Sequence, residues 1–151
     1  MVLILVEAGE RDEFMQMAQQ HFCDLNPEFK PAADWQSSYF EKIQQNPALL
    51  LCWILADGQR AGFVLFGVED HRFLPRKTGM IYELYVVPEQ RRRGIAKASA
   101  EAVIQELQKS SPTKIQLEVV AGNTAALQLW ESLGFQKVSE RFVLAERGAT
   151  K

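Results

Sequence analysis

Cysteine is scarce in this chain. Cys23 and Cys52 are the only two in 151 residues, and they lack the paired spacing of a zinc or redox motif. A disulfide framework is therefore excluded, and a reduced, cytoplasmic setting is expected. Histidine is equally sparse: His21 and His71 have no ligating partner at useful spacing, so no metal is expected. Long apolar runs are missing too. None approaches the ~18 residues of a membrane span. The segment Met1–Val6 is too short for a secretory signal and lacks a basic start, so no membrane partner is expected. Nor is there an excess of positive charge: 17 Lys and Arg stand against 19 Asp and Glu, a net charge of −2. That balance argues against a general nucleic-acid binder. No linker, repeat or low-complexity stretch interrupts the sequence. Residues 1–151 thus read as one domain, long enough to bury a substantial core.

What is present is a regular alternation of strand and helix signals. Val2–Glu7 reads as a strand. Glu10 to about Cys23 reads as a helix, with Phe14, Met17, Ala18, His21 and Phe22 near one face. A second helix is expected from about Ala32 to Gln45, ended by Asn46-Pro47. Leu49–Ala56 and Ala61–Val68 are apolar runs joined at Asp57-Gly58, a strong hairpin signal. After a polar loop over Glu69–Gly79, Met80–Val87 reads as a strand closed by Pro88, and Arg91–Lys109 turns helical. Lys114–Val120 alternates like a strand. Asn123 caps a further helix that carries Ala126, Leu129, Trp130 and Leu133 and stops at Gly134. Phe135–Ser139 and Arg141–Glu146 are expected as short closing strands. The expected order is β-α-α-β-β-β-α-β-α-β-β, an α/β fold.

The densest chemical signal is Gln90-Arg91-Arg92-Arg93-Gly94-Ile95-Ala96-Lys97, where a strand end, a tight turn and a helix start coincide. Such a turn aims several unpaired backbone N–H groups at one point, and the helix dipole adds partial positive charge there. An anion belongs at that point, most plausibly a phosphate or pyrophosphate. Gly94 lets backbone approach it closely, and Ala96 is small for the same reason. The plainer reading is a solvated basic turn of an amphipathic helix.

Order and motifs together resemble the GCN5-related N-acetyltransferase (GNAT) superfamily over nearly the whole chain. Residues 90–96 fit that family's pyrophosphate loop. Leu84–Pro88 is similar to its fourth strand, and Leu117–Val119 with Asn123, Ala126, Leu133, Gly134 and Phe135 to its fifth strand and following helix. The resemblance implies a twisted, mixed, mostly antiparallel sheet of six to seven strands flanked by four helices. It implies acetyl-CoA as co-substrate and a primary amine of a small molecule or peptide as acceptor. The diphosphate would be gripped by the segment Arg91, Arg92, Arg93, Gly94, Ile95, Ala96 and Lys97. The fourth strand would bend at a bulge and part from the fifth, so that the pantetheine arm pairs with the freed amides of Tyr85, Val86 and Val87. Asn123 would contact the same arm besides capping its helix. An alternative is an acyl-CoA-binding sensor that has lost the chemistry.

Two carboxylates are candidate bases for deprotonating the amine. Glu83 lies among apolar neighbours on the fourth strand, with Tyr85 on the same face. Glu118 lies on the fifth strand, at a position similar to that of the base in enzymes acetylating ribosomal-protein N-termini. Either carboxylate is costly to bury unpaired, so solvation or an ion pair competes with catalysis as its explanation. Trp130 stands where the family commonly has the tyrosine that protonates the leaving thiolate. Indole is no useful proton donor near neutral pH. Trp130 is therefore expected in the core or against the cofactor, with Tyr85 or Tyr82 as substitute acids. Acceptor identity rests on the first two helices and the loop after Glu69. Up to Gln45 there are eight acidic residues against three basic, which would favour a cationic amine. The tail after Gly134 lacks the aromatic ending of the ribosomal-protein enzymes, and pairing through an edge strand would give a homodimer.

Overall fold

Asp57 and Gly58 take left-handed φ values of 52° and 76°, the backbone that a two-residue hairpin turn demands. They join β2 (Leu49–Ala56) to β3 (Gln59–Asp70), and β3 in turn pairs antiparallel with β4 (Lys77–Val86). The computed structural model describes residues 1–145. Its sheet has five strands in the order β1-β2-β3-β4-β5, with β1 (Val2–Leu5) antiparallel to β2 and β5 (Lys114–Leu117) parallel to β4. Four helices flank it: α1 (Arg11–Leu25), α2 (Trp35–Gln45), α3 (Ile95–Gln108) and α4 (Thr124–Ser132).

Alternation along β3 divides the core in two. Phe63 and Leu65 pack with Phe14, Met15 and Ala18 of α1 and Phe40 and Ile43 of α2. Val64 and Phe66 pack with Ala100, Val103 and Leu107 of α3 and Trp130 of α4. Each face of the sheet therefore carries one helix pair. At Gly62 a β-carbon would collide with the carbonyl oxygen of Tyr85, so β3 and β4 approach there as only glycine permits.

Two irregularities set β4 apart from the other strands. Leu65 pairs with Glu83, but the next pair is Phe66 with Ile81, so Tyr82 is an extra residue. Simple alternation would put Ile81, Glu83 and Tyr85 on one face. The extra residue turns Ile81 toward α3 and leaves Glu83 and Tyr85 on the α1 side. The second irregularity is the pairing with β5, which covers only Thr78–Ile81 against Lys114–Leu117. From Tyr82 to Val86 the edge of β4 facing β5 has no strand partner among the described residues, because β5 ends at Leu117.

The expected closing strands do not form. Residues 135–145 are irregular, and Val138, Phe142, Val143 and Leu144 are all more than four-fifths exposed. Local alternation makes a strand only where a neighbouring edge takes up its backbone groups. Here the segment makes local contacts instead, such as Lys137 with Glu140 at 3.1 Å. Glu146, the last residue of that expectation, lies outside the described residues. Among the described residues the sheet has five strands rather than six or seven, and β5 ends at Leu117, short of Glu118 and Val120.

Candidate active site

Beyond β4 the chain makes one 3-10 turn (Pro88–Gln90) and a tight turn over 91–94, and α3 begins at Ile95. Arg92 and Gly94 both adopt left-handed φ, 63° and 75°. For arginine this is an uncommon, costly conformation, of the kind found where function fixes the backbone. Residues of alternating hand turn successive N–H groups inward into a concave nest for an anion. The first amide engaged by α3 is that of Ala98, which donates to the Gly94 carbonyl at 3.1 Å. Among the described residues, the amides from Arg92 to Lys97 donate to no protein acceptor. A cleft of about 210 Å³ opens over them, walled by Val86, Ile95, Ala96 and Leu129. A β-carbon built on Gly94 meets only open space.

The basic side chains divide by partner. Arg91 folds back: its Nε donates to the Val86 carbonyl at 2.8 Å, Nη2 lies 3.4 Å from Asp24, and the guanidinium sits over the Tyr85 ring. Arg93 pairs with Asp57 at 2.6 Å and donates to Gln90, which fastens the turn to the β2–β3 hairpin. Arg92 and Lys97 make no ion pair among the described residues and stand at the cleft. Two arginines thus brace the loop, and one arginine and one lysine face the opening.

The unpaired edge of β4 meets the cleft at Val86. The Val86 carbonyl, held by Arg91, points away from β3, and its N–H lies on the same side of the strand. Val87 is different. Its amide donates to the Ala61 carbonyl at 2.8 Å and is engaged by β3, so the expectation of a free Val87 amide is corrected. The same antiparallel alternation directs the Tyr85 amide toward β3, which corrects that expectation also.

On the α1 side of β4, Glu83 Oε2 lies 2.5 Å from Nε2 of His21. His21 is buried, whereas the Glu83 side chain is partly open. Around them stand Tyr85, Phe63 and Phe22, each with its ring centroid within 5.6 Å of the imidazole. Burial raises the pKa of the Tyr85 hydroxyl and Asp24 adds to the rise, while Arg91 opposes it. Tyr39 is also pushed up, by burial first and then by the charge of Glu83.

The other sequence candidates lie apart from this cluster. Glu118 follows β5 and is highly exposed, paired with Arg141 of the exposed tail. Asn123 caps α4, its side chain accepting from the Ala126 amide at 3.2 Å. Trp130 is buried in the α3–α4 core, edge-on to Phe135 at 5.5 Å. The Tyr82 hydroxyl is bonded to Glu69 at 2.5 Å. Sequence reasoning set His21 aside because it sought metal partners at short spacing. The usable signal was its place on the apolar face of α1, where an imidazole needs a polar partner.

The sequence model of the Acetyltransferase (GNAT) family matches residues 15–135. An acetyltransferase of Sodalis glossinidius, SG1711, is 30% identical over 125 residues, 83% of this chain and 81% of that one. The [ribosomal protein bS18]-alanine N-acetyltransferase of Escherichia coli K12 is 39% identical over 61 residues, 40% of this chain, and that match spans only 41% of the E. coli protein. Among solved structures, a ribosomal-protein-alanine N-acetyltransferase from Brucella melitensis superposes with a TM-score of 0.74 at 20% identity, covering 97% of this chain and 100% of that one, which shows a shared fold. With the family model matching residues 15–135 and a relative 30% identical over 83% of its length, the chain belongs to the GNAT family of acetyltransferases.

Proposed function

We propose that this protein transfers an acetyl group from acetyl-CoA to a primary amine of a small molecule or a peptide. The observation that carries the reading is the run of unengaged amides from Arg92 to Lys97 beside a β4 edge that β5 has left. The donor set suits a diphosphate: N–H groups in a left-handed turn, a helix N-terminus, and Arg92 and Lys97 at the cleft. When bound, the coenzyme supplies an acetyl thioester to the gap between β4 and β5. The Val86 amide is placed to pair with its amide-bearing arm, and Gly94 keeps the approach open.

Glu83 is the base in this reading. Its Oε2 is held by His21, and Oε1 makes no bond to the protein among the described residues, leaving it to take a proton from the acceptor ammonium. A β4 amide on the open edge is the donor for the developing oxyanion. Tyr85, on the same face of β4 as Glu83, carries the hydroxyl that would deliver a proton to the leaving thiolate. Trp130 supports packing only. The exposed, Arg141-paired Glu118 is a weaker candidate base than Glu83.

The expected acceptor is cationic, from the acidic excess of the first two helices, and the name of the E. coli relative adds a peptide beginning with alanine. A second reading, an acyl-CoA sensor without turnover, is favoured by one observation: the family's tyrosine position holds a buried tryptophan. One experiment separates them. Thiol release from acetyl-CoA is followed with spermine, an aminoglycoside and an alanine-starting peptide as acceptors. Turnover is expected on at least one, with Glu83→Gln lowering kcat by about 10²-fold or more and leaving coenzyme A affinity unchanged. Coenzyme binding without turnover on any acceptor would support the sensor, and an undiminished Glu83→Gln would remove Glu83 from the chemistry.

A further inference from the structure

His21 is one of only two buried polar residues among those described. The other, Ser99, bonds back to its own helix at Ile95, as serine commonly does. His21 has no such local outlet. Its Nε2 reaches across from α1 to β4 and meets Glu83 at 2.5 Å, over a sequence separation of 62 residues. Phe63 stands edge-on to the ring at 5.6 Å, and Tyr85 and Phe22 close its sides at 5.2 and 5.1 Å. The imidazole is packed between these rings, with one carboxylate oxygen of Glu83 bonded to it.

Stability alone is a poor reason for this pair. A phenylalanine or leucine would fill the same space on α1 without needing a partner, and an apolar replacement of a buried polar pair is often neutral or stabilising. What the pair does supply is asymmetry. One carboxylate oxygen is anchored in the aromatic core. The other belongs to a side chain that is still 22% exposed and lies on the strand that borders the gap. The extra residue Tyr82 is what turns Glu83 to this side.

We infer that His21 is a positioning residue of the transfer reaction. Its Nε2–H donates to Glu83 Oε2 and thereby aims Oε1 at the acceptor amine. The inference rests on the reading of Glu83 as base. The proton taken from the ammonium goes to Glu83 Oε1; His21 keeps its own proton on Nε2 throughout. Misaiming a catalytic group by a fraction of an ångström costs turnover rather than coenzyme binding.

The test has two arms. The first uses the full chain without acceptor. Only two histidines are present, so imidazole nitrogen NMR is sparse enough to read directly. His21 is expected as the Nε2–H tautomer with a slowly exchanging proton, and Glu83→Gln is expected to speed that exchange. A His21 that carries its proton on Nδ1 would overturn the inference. The second arm is a double-mutant cycle with the acceptor that gives fastest thiol release. His21→Phe keeps the ring packing and removes the donor; His21→Gln keeps a donor. The first is expected to lower kcat about tenfold at unchanged KM for acetyl-CoA. His21→Gln should recover most of that loss. In the Glu83→Gln background, His21→Phe should cost less than about twofold more, since residues acting through one group are not additive. Full activity in His21→Phe, with Glu83→Gln impaired, would overturn the positioning role and leave Glu83 as base. An equal loss from His21→Phe in both backgrounds would mark a structural role only. Full activity in Glu83→Gln would overturn both readings together. If His21→Phe fails to fold, His21→Gln and the NMR arm decide.

Discussion

The turn over residues 91–94 and the pair of Glu83 with His21 flank the same end of β4, yet they are built in opposite ways. The turn is made of main chain. Its donors are consecutive amides and its shape comes from two left-handed residues, all within one octapeptide that Val86, Asp24 and Asp57 brace from outside. The pair is made of side chains brought together by packing, from a helix and a strand 62 residues apart. A main-chain site is robust to most side-chain changes and fragile to a few backbone ones. A side-chain site is the reverse. The arginines illustrate the point: Arg91 and Arg93 are engaged by Val86, Asp24 and Asp57, so their contribution is to the loop's geometry rather than to the anion.

This contrast can be broken by experiment. The largest effect is expected from Gly94→Val. A β-branched residue held at a φ of 75° carries a left-handed penalty of roughly 1–2 kcal/mol, and added bulk over the amides compounds it. Coenzyme A affinity by calorimetry should fall at least about tenfold, with Tm lowered by about 2–8 °C from the left-handed penalty. Wild-type affinity would show that the turn is not the anion site. Smaller effects separate the arginines. Arg92→Ala should weaken coenzyme A about two- to fivefold, an effect that shrinks as salt rises, because an exposed cation contributes little. Arg93→Ala should change affinity less and be insensitive to added salt, since its charge is already met by Asp57. Equal, salt-sensitive losses for both would erase the distinction between bracing and binding residues.

The same contrast explains what could be read from the sequence. Features set by neighbouring residues were legible: the Asp57-Gly58 hairpin, the tight turn before α3, the Asn123 cap and the left-handed stop at Gly134. Features set by pairing were not. A bulge in the fourth strand was implied by the family resemblance alone; its place at Tyr82 is a property of β3 and β4 together, and nothing in residues 80–87 announces it. Glu83 and Glu118 looked alike as acids among apolar neighbours. Only the fold shows that one meets a buried imidazole and the other an exposed arginine. The described part of the tail after Gly134 has the alternation of a strand but pairs with no edge of the sheet, and its apolar residues stay exposed.

The central claim is that the amides around Gly94 hold the diphosphate of a thioester-carrying coenzyme. Amide NMR of the full chain during a titration with coenzyme A tests it residue by residue. The largest shifts should fall on Arg92 to Lys97 and on Val86, with Glu118 and the tail unmoved. Saturating shifts elsewhere, or none in that segment at millimolar coenzyme A, would contradict it.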